Sequence, residues 1–168
     1  ESQRYRPMDT SIDRARFNMI QQQIRPWNVA DDQVLSVMAD VPREQFVPDA
    51  YRSVAHADIE IPISDGQTML APKVVGRMLQ ALEVQADDKI LEIGTGTGYV
   101  TACLSHLGGR VVSMEIHEGL AARAQEALQA MTLQRLEVRC GDGLAGPVDG
   151  QPFDVIALTG SLPSDESL

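Results

Sequence analysis

The sequence predicts an α/β fold in which a doubly wound parallel sheet follows a small helical N-terminal portion. Three observations carry this prediction. Short apolar runs alternate with helical patterns from about residue 71 onward, and a glycine-rich turn joins one of these runs to a helix. Of the 168 residues, 43% are apolar and 23% are charged, which is typical of one compact globular domain and argues against a disordered chain.

The first seventy residues are predicted to contain two helices followed by turns. Residues 1–10 are polar and aperiodic, and we expect a disordered or tag-like leader there. Residues 11–70 are expected to form a helical portion on the substrate side of the protein. Its first helix is predicted over 11–25 and is ended by Pro26, and Asn28 is expected to cap the second helix. The apolar stripe of the second helix contains Val34, Leu35, Met38 and Val41.

Residues 71–168 are predicted to form the α/β core. Pro72 suits the first turn of a helix, where its missing N–H costs nothing. The elements that follow alternate between strand and helix, which implies right-handed βαβ units and a parallel sheet. The predicted strands are 89–93, 111–115, 136–140 and 153–158, and the predicted helices are 99–107 and 118–131.

Charge and cysteine content argue against several classes of protein. Lys plus Arg is 14 and Asp plus Glu is 24, so the formal net charge of −10 disfavours phosphate backbones and anionic lipids. We therefore expect no nucleic-acid and no membrane partner, and no stretch approaches the roughly 20 apolar residues of a membrane span. Cys103 and Cys140 lie far apart without a clustered His, so we expect no metal site, no disulfide framework and a cytoplasmic location.

The most informative segment runs from a buried strand through Gly94, Gly96 and Gly98 into a helix. Glycines at this spacing allow a tight turn and the close approach of a ligand to the backbone. A dinucleotide fingerprint requires glycine at the position of Tyr99, so a dinucleotide-dependent oxidoreductase is the least favoured alternative. The spacing suits S-adenosylmethionine, whose positively charged amino-acid end an acidic side chain can approach. The residues predicted to hold this part of the cofactor are Glu92, Gly94, Thr95, Gly96, Thr97 and Gly98.

Acidic residues also follow the next two predicted strands. Glu115 ends the second strand, where a carboxylate can hold ribose hydroxyls. Asp142 and Gly143 follow the third strand, where they can accept the adenine amino group and admit the ring. Taken singly, each pattern also fits an ordinary strand end or an Asp-Gly turn. Because the carboxyl ends of the strands converge at the switch point of a doubly wound sheet, the three segments together predict one cofactor site.

The chain resembles the protein-L-isoaspartate O-methyltransferases over roughly residues 16–160. The segments that carry the resemblance are QQQIR at 21–25, VPREQFVP at 41–48, IPI at 61–63, GQT at 66–68, LEIGTGTGY at 91–99, GDG at 141–143 and PFD at 152–154. The resemblance implies a Rossmann-like class I methyltransferase fold with S-adenosylmethionine as the methyl donor. It also implies that the substrate is a damaged protein or peptide, methylated on the carboxylate of an isoaspartyl residue.

Thr68, Met69 and Leu70 are expected to lie near the transferred methyl group. The resembling family typically has a serine in this segment, and its hydroxyl lies next to the substrate; here Leu70 takes that place. Leucine has no hydrogen-bonding group, so the change bears on the methyl acceptor more than on cofactor binding. Two alternatives to isoaspartyl methylation therefore stay open: a non-catalytic S-adenosylmethionine-binding homologue and a methyltransferase for a small metabolite. The oligomeric state is also left open.

The four predicted strands end at Leu158, and ten residues follow it. A further crossover requires at least about 10–12 residues before its strand begins. The resembling family continues with more strands and helices beyond this point. We therefore expect a sheet truncated after the fourth strand, with an exposed apolar edge, and a chain that represents part of a methyltransferase.

Overall fold

The computed structural model describes residues 11–131, 133, 135–150 and 152–160. Its helices in chain order are α1 (Ser11–Met19), α2 (Asp32–Asp40), α3 (Pro72–Leu82), α4 (Tyr99–Leu107) and α5 (Glu118–Gln129). Its strands in chain order are β1 (Ile61–Pro62), β2 (Thr68–Met69), β3 (Lys89–Ile93), β4 (Arg110–Glu115), β5 (Leu136–Cys140) and β6 (Val155–Leu158). The N-terminal part also contains a π-helical turn at Ile20–Ile24 and 3₁₀ helices at Arg25–Trp27, Arg43–Gln45 and Asp49–Val54.

Strands β3 to β6 form a parallel sheet in the order β5–β4–β3–β6. Ile90 of β3 lies opposite Val111 of β4 on one side and Val155 of β6 on the other. The chain therefore passes to the far side of β3 when it enters β6, and the strand order reverses at β3. The predicted α/β fold is confirmed. Such a reversal opens the crevice in which doubly wound sheets bind ligands.

The central strands are buried on both faces of the sheet, as parallel strands usually are. Ile90 and Val111 are fully buried on the face that packs against the helices. Leu91 and Val112 point to the opposite face, where Val148 covers them in a smaller apolar cluster. The near-continuous apolar character of these strands follows from this two-sided burial.

Residues 11–70 and the α/β part share one hydrophobic core. Met19 and Ile24 are fully buried in one apolar cluster with Val75 of α3 and Leu104 of α4. Gly76 lets the two parts approach closely, because a Cβ there would lie 2.9 Å from Cγ2 of Ile24. The predicted apolar stripe of the second helix is buried in this core at Val34, Leu35, Met38 and Val41. Residues 1–10 and 161–168 lie outside the described residues.

The junction between the first two helices differs from the prediction. Pro26 does not end the helical run, because it occupies the start of a 3₁₀ turn that continues to Trp27. Asn28 is not the cap of α2: it adopts a left-handed conformation with φ 61° and ends the preceding turn. Asp31 caps α2 instead, and its carboxylate accepts hydrogen bonds from the backbone N–H groups of residues 33 and 34. Asn tolerates the left-handed conformation better than most residues, which suits Asn28 to the end of the 3₁₀ turn.

A short hairpin carries the predicted substrate segment to the sheet. Strands β1 and β2 pair antiparallel, with Ile61 opposite Met69. The hairpin closes through the N–H of Ile63, which donates to the carbonyl of Gln67 at 2.9 Å. Residues 68–70, which we call the acceptor loop, consequently lie against the carboxyl ends of the parallel strands.

The outer strand β6 leaves apolar side chains in contact with solvent. Ile156 is 57% exposed and Leu158 is 50% exposed.

None of the helices within the described residues is long and apolar enough to cross a membrane.

The cap of α2 can be tested with Asp31→Ala. The variant loses two backbone hydrogen bonds at the helix start, so we expect the free energy of unfolding in urea to fall by about 1 kcal/mol. Asp32→Ala is the matched control, because it removes the same charge from the first turn without removing the cap. Equal losses in the two variants would contradict the assignment of Asp31 as the cap.

Candidate functional site

A cavity of about 530 Å³ lies at the carboxyl edge of the parallel sheet. Its walls come from the loop after β3, the segments that follow β4, β5 and β6, and the β1–β2 hairpin. This volume is within the usual range for sites that bind small molecules. The cavity lies at the reversal of strand order, which is the predicted position of the cofactor site.

The loop after β3 can adopt its shape only with glycine at the first position. Gly94 has φ 102°, and a Cβ there would lie 2.2 Å from the backbone nitrogen of Gly160 after β6. Its N–H donates to the carbonyl of Met114 in β4 at 2.8 Å. Gly96, with φ 55°, lines the cavity with its backbone. The loop is thus held between β4 and β6 and exposes main chain to the cavity.

Glu115 lies at the end of β4 with its carboxylate at the glycine loop. One oxygen, Oε1, accepts a hydrogen bond from the N–H of Gly96 at 2.8 Å. The other, Oε2, accepts from the N–H of His117 at 3.0 Å, and the ring Nδ1 of His117 lies 3.1 Å away. A carboxylate has about four acceptor positions, so Glu115 keeps the capacity to accept a hydrogen bond from a ligand hydroxyl.

Asp142 and Gly143 lie on the wall that follows β5. Oδ1 of Asp142 accepts a hydrogen bond from the N–H of Leu144 at 2.9 Å, which turns the chain around the cavity. Gly143 packs closely on the sheet, since a Cβ there would lie 3.1 Å from Cγ1 of Ile93. This wall therefore combines one carboxylate with backbone that a flat group can approach.

Glu92 is not one of the described residues that line the cavity. Its side chain is fully buried beneath the loop, where both oxygens face hydroxyl groups. Oε1 accepts from Ser113 at 2.6 Å and from Thr101, and Oε2 lies 3.1 Å from Oγ1 of Thr159. Burial raises the pKa of Glu92 from 4.5 to about 7, against the opposing effect of the hydroxyl hydrogen bonds.

The hydroxyl of Thr159 connects Glu92 with the glycine loop. Oγ1 of Thr159 lies 2.6 Å from the carbonyl oxygen of Gly94, to which it donates. A hydroxyl has one proton, so a protonated Glu92 can donate to Thr159 while Thr159 donates to Gly94. On the other side Thr95 donates to Ser113 across 2.6 Å, because Ser113 already donates to Glu92. Glu92 therefore acts on the loop through hydroxyl groups.

The other three positions of the predicted loop are not in the lining of the main cavity within the described residues. Thr95 and Thr97 line a smaller cavity of about 40 Å³, which shares Gly94 with the main one. Gly98 packs on α5, where a Cβ would lie 3.2 Å from Cδ1 of Leu128. Gly98 thus serves helix packing rather than the cavity wall.

The acceptor loop lies across the cavity from the glycine loop. Thr68 and Leu70 line the main cavity, and Met69 lines the smaller one together with both of them. Leu70 is half-buried, and its carbonyl accepts a hydrogen bond from Arg43 at 2.9 Å. The loop therefore carries an apolar side chain at the position where the resemblance leads us to expect a serine.

His117 and Arg43 are parts of this region that sequence reasoning did not assign. His117 follows Glu115 by two residues, and this spacing at a strand end is the signal that could have indicated a local contact. Nothing in the sequence around Arg43 indicates that its side chain is fully buried.

Comparison with known proteins decides the family. The family model described as Protein-L-isoaspartate(D-aspartate) O-methyltransferase matches residues 14–164. The chain belongs to this family. Its members are methyltransferases that use S-adenosylmethionine, so the fold class and the recognised family agree.

Two relatives illustrate the similarity. The chain is 43% identical over 153 residues to the protein-L-isoaspartate O-methyltransferase of Koribacter versatilis, covering 91% of this chain and 68% of the relative. It is 42% identical over 153 residues to protein-L-isoaspartate O-methyltransferase 1 of Syntrophobacter fumaroxidans, covering 91% of this chain and 72% of the relative.

Solved structures show the same fold. A protein-L-isoaspartate O-methyltransferase superposes with a TM-score of 0.76 at 25% identity, covering 86% of this chain and 47% of that chain. A Plasmodium falciparum protein described as a putative member, solved in complex with S-adenosyl-L-homocysteine, superposes with a TM-score of 0.65 at 18% identity. That match covers 79% of this chain and 64% of that chain. The chain thus spans about half the length of the first structure and under two thirds of the second.

The buried carboxyl group of Glu92 predicts a pH-dependent stability. Because its folded-state pKa of about 7 exceeds 4.5, the folded protein retains a proton that the unfolded chain loses between these values. The free energy of unfolding should therefore fall as pH rises through this window, by up to about 1.4 kcal/mol per pH unit. We expect Glu92→Gln to remove this contribution, measured as the difference from wild type in urea unfolding at several pH values. Glu118→Gln, at an exposed position, is the control, and a pH-independent difference between wild type and Glu92→Gln would contradict the prediction.

Proposed function

We propose that the chain binds S-adenosylmethionine in the main cavity and methylates the carboxylate of isoaspartyl residues in damaged proteins. The observation that carries the proposal is the pairing of Glu115 with Gly96 at the switch point of the sheet. This pairing sets a carboxylate beside exposed main chain, in a chain that belongs to a family of methyltransferases.

The residues around the cavity fit the cofactor in volume and in chemistry. The cavity of about 530 Å³ is lined in part by the backbone of Gly94, Gly96 and Gly143, which a ligand can approach closely. Glu115 would accept from the ribose hydroxyls, and Asp142 with Gly143 would receive the adenine. Residues 94–97 of the glycine loop would hold the amino-acid and central part of the cofactor, and Gly98 would support them by its packing on α5. We propose that Glu92 contributes to this end by fixing the loop through Thr159.

Bound S-adenosylmethionine supplies a methyl group on a positively charged sulfur, which is already electrophilic. The acceptor carboxylate is ionised at neutral pH, so the chain does not need to provide a general base. Its residues have to bind the two partners in line and exclude water, and such positioning accounts for large rate enhancements. Thr68, Met69 and Leu70 lie across the cavity from Gly94 and would carry out this positioning.

A broad groove supports a polypeptide as the acceptor. It has a volume of about 950 Å³ and runs from Gly96 and Thr97 between residues 44–52 and α5. A small metabolite does not require this space, whereas the chain that flanks an isoaspartyl residue does.

Leu70 favours a second candidate, a homologue that binds the cofactor without turnover. Its side chain cannot donate a hydrogen bond to the acceptor, although the backbone of the acceptor loop remains in place. Losing one such hydrogen bond costs on the order of 1–3 kcal/mol, which slows transfer without abolishing it. We therefore favour methyl transfer as the function of this chain over cofactor binding without turnover.

Calorimetry with S-adenosyl-L-homocysteine tests the cofactor site. We expect wild type to bind, and Glu115→Gln to bind at least about tenfold more weakly, because an amide cannot accept from both ribose hydroxyls as a carboxylate does. Glu118→Gln is the matched control, since it lies three residues further along and outside the cavity walls. Folded wild-type protein that shows no binding would overturn the proposal.

Methyl transfer to an isoaspartyl peptide tests the acceptor. We expect measurable turnover by wild type and a roughly tenfold or larger gain for Leu70→Ser, which restores a hydroxyl at this position. Leu70→Ala removes the same bulk without adding a hydroxyl and separates the two effects. Cofactor binding without turnover in wild type, with turnover in Leu70→Ser, would favour the non-catalytic homologue.

A further inference from the structure

Arg43 is a fully buried cation in the 3₁₀ helix at Arg43–Gln45. Its guanidinium contacts two different parts of the site. Nη2 donates to the carbonyl of Leu70 at 2.9 Å, and the guanidinium carbon lies 4.8 Å from the centre of the Tyr99 ring. Nε donates to the carbonyl of Ala55 at 2.8 Å, which holds the side chain in place from behind.

The two contacts of Arg43 both belong to residues that line the smaller cavity. Leu70 belongs to the acceptor loop and lines the cavity, and its carbonyl accepts the hydrogen bond from Arg43. Tyr99 directly follows the glycine loop, is 1% exposed and lines the same cavity. One rigid guanidinium therefore spans from the acceptor loop to the end of the glycine loop.

The charge of Arg43 is not explained by an ion pair. Within the part of the chain that the structure describes, no carboxylate oxygen lies within 4.0 Å of its guanidinium. Its Nη1 is buried without a hydrogen-bond partner, and burial lowers the pKa of Arg43 from its ordinary value. A buried cation without a carboxylate costs stability that an apolar side chain of the same size would not. Packing alone therefore does not account for an arginine at this position.

We infer that Arg43 is a positioning residue, which sets the acceptor loop at a fixed distance from the glycine loop. The inference rests on the proposed function for its effect on turnover. A guanidinium can donate to Leu70 and Ala55 from two different nitrogens while its carbon lies over the Tyr99 ring, whereas the ammonium of a lysine has a single nitrogen. Arginine and lysine are accordingly not equivalent here.

The test compares Arg43→Met and Arg43→Lys with Arg77→Met, which removes an exposed arginine of α3. Each variant is loaded with S-adenosyl-L-homocysteine, and amide hydrogen exchange is followed in peptides that cover the acceptor loop and the glycine loop. We expect exchange in residues 68–71 to rise at least about tenfold in Arg43→Met, and less in Arg43→Lys. Exchange in residues 91–98 and affinity for the ligand should stay within about threefold of wild type.

Turnover on an isoaspartyl peptide provides the second readout. A small misplacement of reacting groups can cost as much as about a hundredfold in rate, so we expect kcat to fall ten- to hundredfold in Arg43→Met. Arg43→Lys should recover part of the loss, and KM for the peptide should change less than kcat.

The outcomes separate the two proposals. If wild type binds the ligand without turnover, the proposed methyl transfer fails, and the exchange of residues 68–71 still decides the role of Arg43. Unchanged exchange in both Arg43 variants would overturn the inference. A parallel loss of ligand affinity, loop protection and unfolding midpoint would also overturn it, since it would mark Arg43 as a residue of the general fold. Should Arg43→Met fail to fold, Arg43→Lys alone decides through the same exchange measurement.

Discussion

The close approach of β3 and β6 at their carboxyl ends is the constraint on which the rest of the site depends. Gly94 and Gly160 meet backbone to backbone, and a side chain on Gly94 would overlap the nitrogen of Gly160. Thr159 closes the contact by donating to the carbonyl of Gly94 at 2.6 Å. Because β4 binds the same loop through Met114, the glycine loop is held from both neighbouring strands and its main chain stays exposed to the cavity.

Two buried ionisable groups stand behind the two loops of the site. Glu92 lies beneath the glycine loop among hydroxyls, and Arg43 lies behind the acceptor loop against carbonyls and an aromatic ring. Neither has an oppositely charged partner within 4.0 Å in the described part of the chain. Buried polar groups of this kind must be matched by hydrogen bonds, and the match fixes the backbone that supplies them.

The main cavity and the acceptor loop are proposed to bind different reactants, the methyl donor and the methyl acceptor. The glycine loop, Glu115 and Asp142 line the main cavity, in which we propose that the methyl donor binds. Leu70 lines this cavity as well, and we propose that it bears mainly on the acceptor because its side chain has no hydrogen-bonding group. A change at this residue can therefore alter the acceptor or the rate while the donor site is retained.

Local pattern was enough to determine the alternation of strands and helices, because each element has its own period and its own end signals. The strand at Lys89–Ile93 and the helix at Tyr99–Leu107 follow the predicted bounds, and three acidic or glycine-rich strand ends do meet at one edge. Only the tertiary structure decided which way each side chain points. Glu92 turns under the loop and Arg43 enters the core, since both orientations depend on partners that are distant in sequence, at Ser113 and Leu70.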